Sequence, residues 1–402
     1  MNLIKKGYCR IFQLAFRMAM PILPYREPQK FTDSAELAKL FSEKNIQSVL
    51  LVTDPFLRSS GATQTLESLL FEHGVCCTVY DKTCPNPTTD NVEEAFALYQ
   101  EHNCKALIAF GGGSPMDCAK AVGARAAFPK KSLKQLKGIL RVWKKLPPLV
   151  AIPTTAGTGS EVTVTAVITD KNTRHKYTMN NFTMIPHYAM LSPEVTFSLP
   201  PHLTATTGMD ALTHAVEAFI GRSTSKETRR LAKEATRLVF ENIETAYKEG
   251  TNRIARENML SAAYKAGIAF SKSYVGYIHA VAHSLGGQYN TPHGLANSVL
   301  MPIALREYGS VIHKKLHALG IAAGVATDSM SHAEGAECFI SAIEALNARL
   351  GIPEKLSGIQ EEDIPKMAKH ADKEANPLYP VPVLMNAKEL EVFYNKVADW
   401  SN

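Results

Sequence analysis

The sequence predicts an α/β domain followed by an all-helical domain. In the first half, short apolar runs bounded by turn residues alternate with segments of helical spacing. Beyond residue 200, stretches rich in Ala, Leu, Glu and Lys repeat at about 3.6-residue intervals, and convincing strands are absent. The 402 residues are therefore expected to form an N-terminal extension (1–27), an α/β domain (28–200) and an all-helical domain (201–402).

Four apolar runs in the first half predict buried strands of a parallel sheet. Segments of helical spacing separate them, which is typical of crossover connections. The predicted strands are 48–54, 76–81, 105–110 and 149–153, and the predicted helices between them are 58–73, 91–102 and 115–127. Residues 163–169 and 176–180 flank a polar stretch at 170–174 and predict a hairpin in the same domain.

The second half is predicted to be a set of amphipathic helices. Each predicted helix shows apolar residues three and four positions apart. These helices are 204–221, 225–247, 251–270, 277–288, 296–305, 330–350 and 386–398.

Composition excludes several classes of protein. A formal charge of +6 is too mild to indicate a nucleic-acid-binding protein, and 45% hydrophobic with 20% charged residues is ordinary globular composition. No apolar run approaches the roughly 18–20 residues that span a bilayer. The seven cysteines form no C-x-x-C pair, which argues against a disulfide framework or a zinc ribbon. We interpret them as reduced thiols of a cytoplasmic protein, mostly in the core.

Residues 1–26 are basic and contain no acid. Apolar residues lie between the cations, which are Lys5, Lys6, Arg10, Arg17 and Arg26. Because Arg10 and Arg17 interrupt the apolar stretch, the segment does not fit an export signal. It fits either an amphipathic helix packed on the body or on a second subunit, or a helix attached to an anionic membrane surface.

A glycine-rich turn joins the third predicted strand to a helix. The sequence reads Gly111-Gly112-Gly113 followed by Ser114 and Pro115. Ser114 is a good N-cap, Pro115 fits the first helical position, and Asp117 resembles the partner in a capping box. Free N–H groups at such a helix start suit a pyrophosphate. The turn is not G-x-G-x-x-G, so a simple strand-to-helix turn is the alternative.

Two further segments suit a dinucleotide. Asp54 ends the first predicted strand, where an acid can accept hydrogen bonds from an adenosine ribose and repel a 2′-phosphate. It can equally cap the next helix. Residues 153–163 (PTTAGTGSEVT) carry hydroxyls and glycines that can line a ligand, although a purely structural loop is also compatible.

One carboxylate and four histidines of the second half indicate a metal site. Asp210 and His214 are four residues apart, as are His279 and His283, so each pair shares a helix face; His293 follows in a Thr-Pro-His-Gly turn. A lone histidine usually belongs to the core, but four with an acid are harder to explain that way. Without thiolate, the set suits Fe(II), Zn(II), Mn(II), Co(II) or Ni(II). One imidazole can instead support a ligand or transfer a proton.

Taken together, these segments resemble the iron-containing (group III) alcohol dehydrogenase family. The resemblance runs from about residue 28 to the C-terminus. It is carried by Gly111-Gly112-Gly113-Ser114-x-x-Asp117, and by residues 85–88 (PNPT), 153–163, 208–217 (GMDALTHAVE) and 279–297 (HAVAHSLGGQYNTPHGLAN).

The resemblance implies the dehydroquinate synthase-like fold, with an α/β nucleotide-binding domain, an all-α C-terminal domain and the site in the cleft between them. It implies one divalent metal, Fe(II) with Zn(II) as the alternative, held by Asp210, His214, His279 and His293. His283 then matches a nearby histidine, not a ligand, that assists proton transfer. Phe270 matches an aromatic residue of the substrate pocket.

The implied cofactor is NAD. The matching contact residues are Asp54, Asn86, Gly112, Gly113, Ser114, Asp117, Thr154, Thr155, Thr158, Ser160, Val162, Lys176 and Leu191. The implied activity is reversible oxidation of a primary alcohol or diol to an aldehyde, in a cytoplasmic homodimer or larger homo-oligomer. Alternatives are a glycerol dehydrogenase or a dehydroquinate synthase-like enzyme of the same fold, a metal-dependent hydrolase, or a silent binding protein.

Overall fold

The computed structural model describes residues 1–171 and 176–401, which form two compact units. One unit is Pro24–Leu199, and the other combines Met1–Leu23 with Pro200–Asn402. The first is α/β and the second is helical, as the sequence predicted. The functional domain limits expected at residues 27 and 200 remain a prediction.

A six-stranded, fully parallel sheet forms the centre of the α/β unit. The described residues of this unit form strands β1 (Gln29–Phe31), β2 (Ser48–Val52), β3 (Cys76–Tyr80), β4 (Ala106–Gly111), β5 (Gly138–Ile139), β6 (Leu149–Pro153), β7 (Thr165–Thr169), β8 (Lys176–Asn180) and β9 (Tyr188–Met190). The order in the large sheet is β1-β9-β6-β4-β2-β3. All four predicted strands are present; β1 and β9 were not predicted because three residues are too few to show a period.

Three strands form a small second sheet in the order β5-β8-β7. β7 and β8 pair antiparallel, with Ala166 opposite Met179, so the hairpin strands are confirmed. Residues 172–174 of the predicted turn lie outside the described residues.

The large sheet is buried on both faces. Leu50, Val52 and Leu107 pack into the core on one face, while Val49 and Leu51 pack into the core on the other. This two-sided burial explains why the strands read as continuous apolar runs.

Seven helices precede residue 140. They are α1 (Leu3–Ala19) of the helical unit, and α2 (Ser34–Glu43), α3 (Pro55–Ser59), α4 (Gln64–Glu72), α5 (Thr89–Glu101), α6 (Gly113–Ala127) and α7 (Leu133–Leu136) of the α/β unit. The prediction of a single helix at 58–73 is wrong in part, because two helices, α3 and α4, occupy this region. The chain turns between α3 and α4, where Gly61 has a φ of +76°.

Nine helices build the rest of the helical unit. They are α8 (Pro201–Ile220), α9 (Lys226–Lys248), α10 (Arg253–Ser273), α11 (Tyr277–Tyr289), α12 (His293–Tyr308), α13 (His313–Ala322), α14 (His332–Arg349), α15 (Ile364–Ala375) and α16 (Ala387–Val397). All seven predicted helices are present, whereas α13 and α15 were not predicted.

The structure bears on two expectations drawn from composition, namely that most cysteines are buried and that the chain has no transmembrane span. All seven cysteines are free thiols, but only Cys9, Cys104 and Cys118 are buried, so the expectation that most lie in the core is wrong. Across the described residues, every helix is too short or too polar to serve as a transmembrane segment.

Candidate active site

Three helices of the helical unit bring potential metal ligands together. Asp210 lies on α8, His279 on α11, and His293 at the start of α12. Asp210 Oδ1 is 3.8 Å from His279 Nε2 and 3.5 Å from His293 Nε2. One ligand atom from each of the three residues lies within 4.8 Å of the others. A carboxylate and two imidazoles at this spacing can hold a divalent ion.

His279 is prepared to act as a ligand through Nε2. Its ring is buried, and Nδ1 lies 2.6 Å from Glu217 Oε2, so the proton belongs on Nδ1. The buried Nε2 has no hydrogen-bond partner among the described residues. Burial, reinforced by the neighbouring histidines, lowers the pKa of His279 well below its usual value, so the ring is neutral at neutral pH.

Glu217 is a buried partner of His279 that the sequence did not single out. It is buried and accepts hydrogen bonds from the backbone N–H groups of Gly276 (2.7 Å) and Ile278 (2.9 Å), at the start of α11. Burial raises its pKa to about 7, while these backbone donors oppose the rise. The available signal was an acid within an apolar helix, three residues after His214.

His214 lies beside the three-residue group without being part of it. Its Nδ1 is 3.9 Å from Asp210 Oδ2. The ring stacks on Phe270 at a centroid distance of 4.2 Å and on His279 at 4.4 Å. The structure therefore places His214, a predicted metal ligand, against Phe270, the predicted aromatic residue of the substrate pocket.

His283 lies at the edge of the cluster. Its ring stacks on His293 at a centroid distance of 5.1 Å, and its Nδ1 is 2.7 Å from Glu374 Oε1. The same oxygen accepts a hydrogen bond from the Tyr379 hydroxyl. About a third of the His283 side chain is exposed, so the ring can exchange protons with water. Glu374 was not identified from the sequence.

Asn297 is a second buried polar residue that the sequence did not identify. Its amide nitrogen donates to Asp210 Oδ1 at 2.7 Å and lies 3.1 Å from His293 Nε2. Its buried Oδ1 has no partner among the described residues. Unsatisfied acceptors at Asn297 and His279, beside a buried carboxylate, are chemically suited to a cation.

The predicted cofactor residues of the α/β unit cluster at the carboxyl edge of its parallel sheet. The glycine-rich turn follows β4, and the hydroxyl-rich loop at 154–163 follows the adjacent β6. Asp54 and Leu191 follow β2 and β9, the outer neighbours of those strands. Dinucleotides bind at this edge of open parallel sheets.

The cap predicted for α6 is wrong. The N-cap is Gly112, and Ser114 is already helical. Ser114 Oγ instead accepts from the Asn86 backbone N–H at 3.3 Å. Asp117 accepts from Ser160 Oγ and from the Val167 N–H, both at 3.0 Å, because the loop after β6 folds back over the helix start.

Side chains in the glycine turn would crowd Pro115 of α6 and the threonines of the loop after β6. Gly111 has a φ of +153°, and a Cβ there would lie 2.5 Å from Pro115 Cγ. A Cβ on Gly112 or Gly113 would lie 3.2 Å from Thr155 or 3.1 Å from Thr158, respectively. Thr154 N–H also donates to the Gly111 carbonyl at 3.1 Å.

Lys120 organises the hydroxyl-rich loop, although the sequence did not single it out. Its ammonium is fully buried and donates to Ser160 Oγ, to the carbonyl and hydroxyl of Thr163, and to the Thr165 carbonyl, at 2.8–3.2 Å. Burial lowers its pKa to about 8, against the opposing effects of Asp117 and Glu161.

The remaining predicted cofactor residues have structural partners. Lys176 Nζ donates to Asn86 Oδ1 at 2.8 Å, and the backbone carbonyl of the buried Val162 accepts from the Tyr25 hydroxyl at 2.9 Å. Asp54 caps α3 by accepting from the Leu57 N–H at 2.9 Å, so the capping alternative applies. A ribose contact by Asp54 stays a prediction.

Two protein-family models match this chain. Residues 30–193 match "Iron-containing alcohol dehydrogenase", and residues 204–398 match "Fe-containing alcohol dehydrogenase family, C-terminal". The chain is 38% identical over 383 residues to 1,3-propanediol dehydrogenase of Citrobacter freundii, covering 94% of this chain and 98% of the relative. It is 36% identical over 331 residues to lactaldehyde reductase of Escherichia coli K12, covering 82% and 86%, respectively.

Solved structures are similar over nearly the whole chain. A crystal structure of 1,3-propanediol oxidoreductase superposes with a TM-score of 0.89 at 35% identity, covering 93% of this chain and 98% of the other. A sulfoacetaldehyde reductase from Bifidobacterium kashiwanohense in complex with NAD⁺ gives 0.83 at 28% identity, covering 94% and 99%.

Proposed function

Because the chain belongs to the iron-containing alcohol dehydrogenase family, we propose that it catalyses the reversible oxidation of a primary alcohol or diol to an aldehyde, with NAD as the hydride acceptor. It is an oxidoreductase of alcohols by family membership. The observation that carries the specific proposal is the approach of Asp210 to His279 and His293 on three helices. Relatives named for 1,3-propanediol and lactaldehyde make small diols and hydroxyaldehydes the first substrates to test.

Asp210, His214, His279 and His293 would hold the metal, Fe(II) or Zn(II). The unsatisfied Nε2 of His279 and the buried carboxylate of Asp210 fit such an ion. When bound, the metal supplies a Lewis acid that lowers the pKa of the alcohol. Glu217 orients His279 and keeps its Nε2 lone pair free of the proton.

The loops of the α/β unit would hold NAD. Gly112, Gly113 and Ser114 at the start of α6 would present backbone N–H groups to the pyrophosphate. Asp54 would accept from the adenosine ribose and disfavour a 2′-phosphate. The bound nicotinamide supplies the hydride acceptor, while the protein supplies orientation.

His283 would move the alcohol proton towards water. It is partly exposed, its Nδ1 is held by Glu374, and Nε2 is therefore the atom that would accept the proton. Phe270, stacked on His214, would contribute an apolar wall for the substrate.

We further propose that the enzyme works in the cytoplasm as a homodimer or larger homo-oligomer, on small-molecule substrates alone. This follows the family resemblance and the compositional argument from the cysteines.

One panel of assays tests the activity and the site together. NAD and NADP are each offered with ethanol, 1,3-propanediol and lactaldehyde, with metal analysis of the same preparation. We expect NAD-linked turnover with stoichiometric iron or zinc. A preparation that binds metal but turns over no alcohol or aldehyde with either nucleotide would contradict the proposal.

Two variants separate ligand from proton carrier. Asp210→Ala is expected to lose both bound metal and turnover. His283→Ala is expected to retain metal and lose on the order of 10²–10⁴-fold in kcat, as is typical of general acid–base groups. If His283→Ala loses metal as Asp210→Ala does, His283 is a ligand and the assignment is wrong.

A further inference from the structure

The N-terminal helix α1 packs on the helical unit through polar side chains. Gln13 is buried and donates to the Tyr379 carbonyl at 2.7 Å. Arg10 donates to the Val381 and Pro382 carbonyls at 2.7 and 2.8 Å. The buried Cys9 and the Phe16 ring, which packs on Tyr274 at a centroid distance of 5.0 Å, share this inner face, so it is mixed in character. Soluble surface helices ordinarily bury their main apolar stripe instead.

The outward face of α1 is apolar and exposed. Residues at positions 4, 8, 11, 15 and 18 follow a spacing of four and three, which places them on one side of the helix, and Ile22 lies in the 3-10 turn that follows α1. Ile4 is 85% exposed, Ile11 70%, Met18 69% and Ile22 84%. Leu3 and Leu14 extend this face, which we call the α1 apolar face. Contiguous exposed apolar surface of this kind marks an interaction site.

A cluster of cations borders the α1 apolar face. Lys6, Arg10 and Arg222 line an open cavity of about 550 Å³ together with apolar Leu3 and Val311. Arg17 donates to the Arg222 carbonyl, and Lys315 donates to the Ile220 and Gly221 carbonyls at 2.7 Å. Arg10, Arg17 and Lys315 therefore donate to carbonyl oxygens, and within the described ranges none of the five cations is within ion-pair distance of a carboxylate.

The cations also repel one another. Burial first, and then the nearby Arg222, Arg229 and Arg17, lower the pKa of Lys315 to about 8. Arg222 likewise lowers the pKa of Arg10, after the larger effect of burial. The acids closest to α1 are already engaged, since Asp372 pairs with Lys5 and Glu389 with the N-terminal ammonium. Against the effect of burial, the N-terminal ammonium and then, more weakly, Lys6 lower the pKa of Glu389, so Glu389 offsets the charge of Lys6 only in part.

We propose that the α1 apolar face docks this protein on the surface of an anionic lipid bilayer, with the bordering cations at the level of the lipid phosphates. A helix that lies in the interface buries an apolar face and places Lys and Arg along its edges, as α1 does. A second copy of the chain fits less well, because pairing two α1 helices would bring two cationic clusters together.

Vesicle flotation of the full chain tests this proposal. The probes are vesicles of phosphatidylcholine alone and vesicles of equal parts phosphatidylcholine and phosphatidylglycerol. We expect binding to the anionic vesicles, weakened by added salt, and little binding to the neutral ones. Absence of binding to anionic vesicles overturns the proposal.

Paired variants identify the surface. Ile11→Glu with Met18→Glu should weaken vesicle binding roughly tenfold or more, because two apolar side chains no longer enter the interface. The matched control, Ile254→Glu with Phe71→Glu, changes two equally exposed apolar residues elsewhere and should bind as wild type. All four positions are exposed, and an unchanged Tm verifies folding. Equal loss in test and control overturns the assignment.

The cations are tested in the same way. Lys6→Gln with Arg222→Gln should weaken binding to anionic vesicles roughly tenfold. Arg230→Gln with Arg237→Gln removes the same net charge from α9 and should have little effect. If the Ile11/Met18 double variant keeps full vesicle binding but loses an oligomer seen by sedimentation velocity, the face joins two copies and the lipid proposal is wrong. The inference does not depend on the enzymatic activity.

Discussion

At the scale of single residues, the chemistry of the helical unit depends on partners that fix each imidazole. His279 turns Nε2 towards Asp210 because Glu217 holds Nδ1, and Glu374 holds Nδ1 of His283 in the same way. Such carboxylate partners set the tautomer and orientation of a metal-binding histidine. They come from distant parts of the chain, since Glu217 and His279 are 62 positions apart.

Replacing Glu217 should weaken metal binding without removing a ligand. In Glu217→Gln, only one side-chain oxygen remains as an acceptor, so the Gly276, Ile278 and His279 donors cannot all be satisfied. Metal affinity should fall roughly 10–100-fold, as for other residues that support a ligand. Titration of the metal-free protein with Zn(II) measures this. The exposed Glu257→Gln is the matched control, and equal affinities for the two variants would contradict a supporting role.

Asp54 carries a structural role and a proposed cofactor role that one variant can separate. Asp54→Ser removes the charge but keeps an N-cap side chain for α3. We expect stability to be nearly unchanged and the ratio of kcat/KM for NAD over NADP to fall, because the repulsion of a 2′-phosphate is lost.

The control for this variant is Asp33→Ser, the equivalent change at the cap of α2, where Asp33 accepts from Ala35 and Glu36 N–H groups. It should leave the nucleotide ratio unchanged. An unchanged ratio in Asp54→Ser as well would remove Asp54 from the cofactor site.

At the scale of elements, the sequence correctly predicted a glycine turn between β4 and α6, but it predicted the wrong N-cap residue for α6. The sequence indicated a strand, a turn and a helix, and all three are present. Ser114 and Asp117 have cap-forming side chains, but Ser114 accepts from Asn86 N–H, and Asp117 accepts from Ser160 in the loop after β6. Local sequence preference was overridden by a contact between two loops that are distant in sequence.

Gly111→Ala should be more destabilising than an ordinary glycine substitution. Its positive φ costs an alanine about 1–2 kcal/mol, and the added Cβ would lie 2.5 Å from Pro115 Cγ, where overpacking typically costs about 1–3 kcal/mol. Urea unfolding measures the sum. Gly324→Ala is the control, since its φ is +75° but no atom lies within 4 Å of the new Cβ. A loss no greater than the control's would show that the contact with Pro115 relaxes freely.

At the scale of the whole molecule, metal binding should be linked to folding of the helical unit, because its proposed ligands lie on three different helices. A chelator should lower the Tm of the metal-loaded protein. A ligand at one hundred times its Kd stabilises by about 2.7 kcal/mol, so a shift of roughly 5–10 °C is expected for a cooperative unit the size of the helical one.

Calorimetry with and without the chelator measures the shift. Asp210→Ala should be insensitive to the chelator, because its metal site is disrupted. A wild-type Tm that does not move on metal removal, verified by metal analysis, would contradict a site built across these helices.

Most strands and helices and the fold class could be derived from the sequence, because hydrophobic period is a local property of the chain. The proposed metal and cofactor residues rest on motif spacing together with the family resemblance. Tertiary structure alone decided which imidazole faces Asp210, which carboxylates support His279 and His283, and that Lys120 organises the loop at 154–163. It also decided that α1 turns Arg10 and Gln13 inward while Ile4, Ile11 and Met18 stay exposed. These outcomes depend on contacts between segments far apart in the chain, and such contacts leave no periodic signal in either segment.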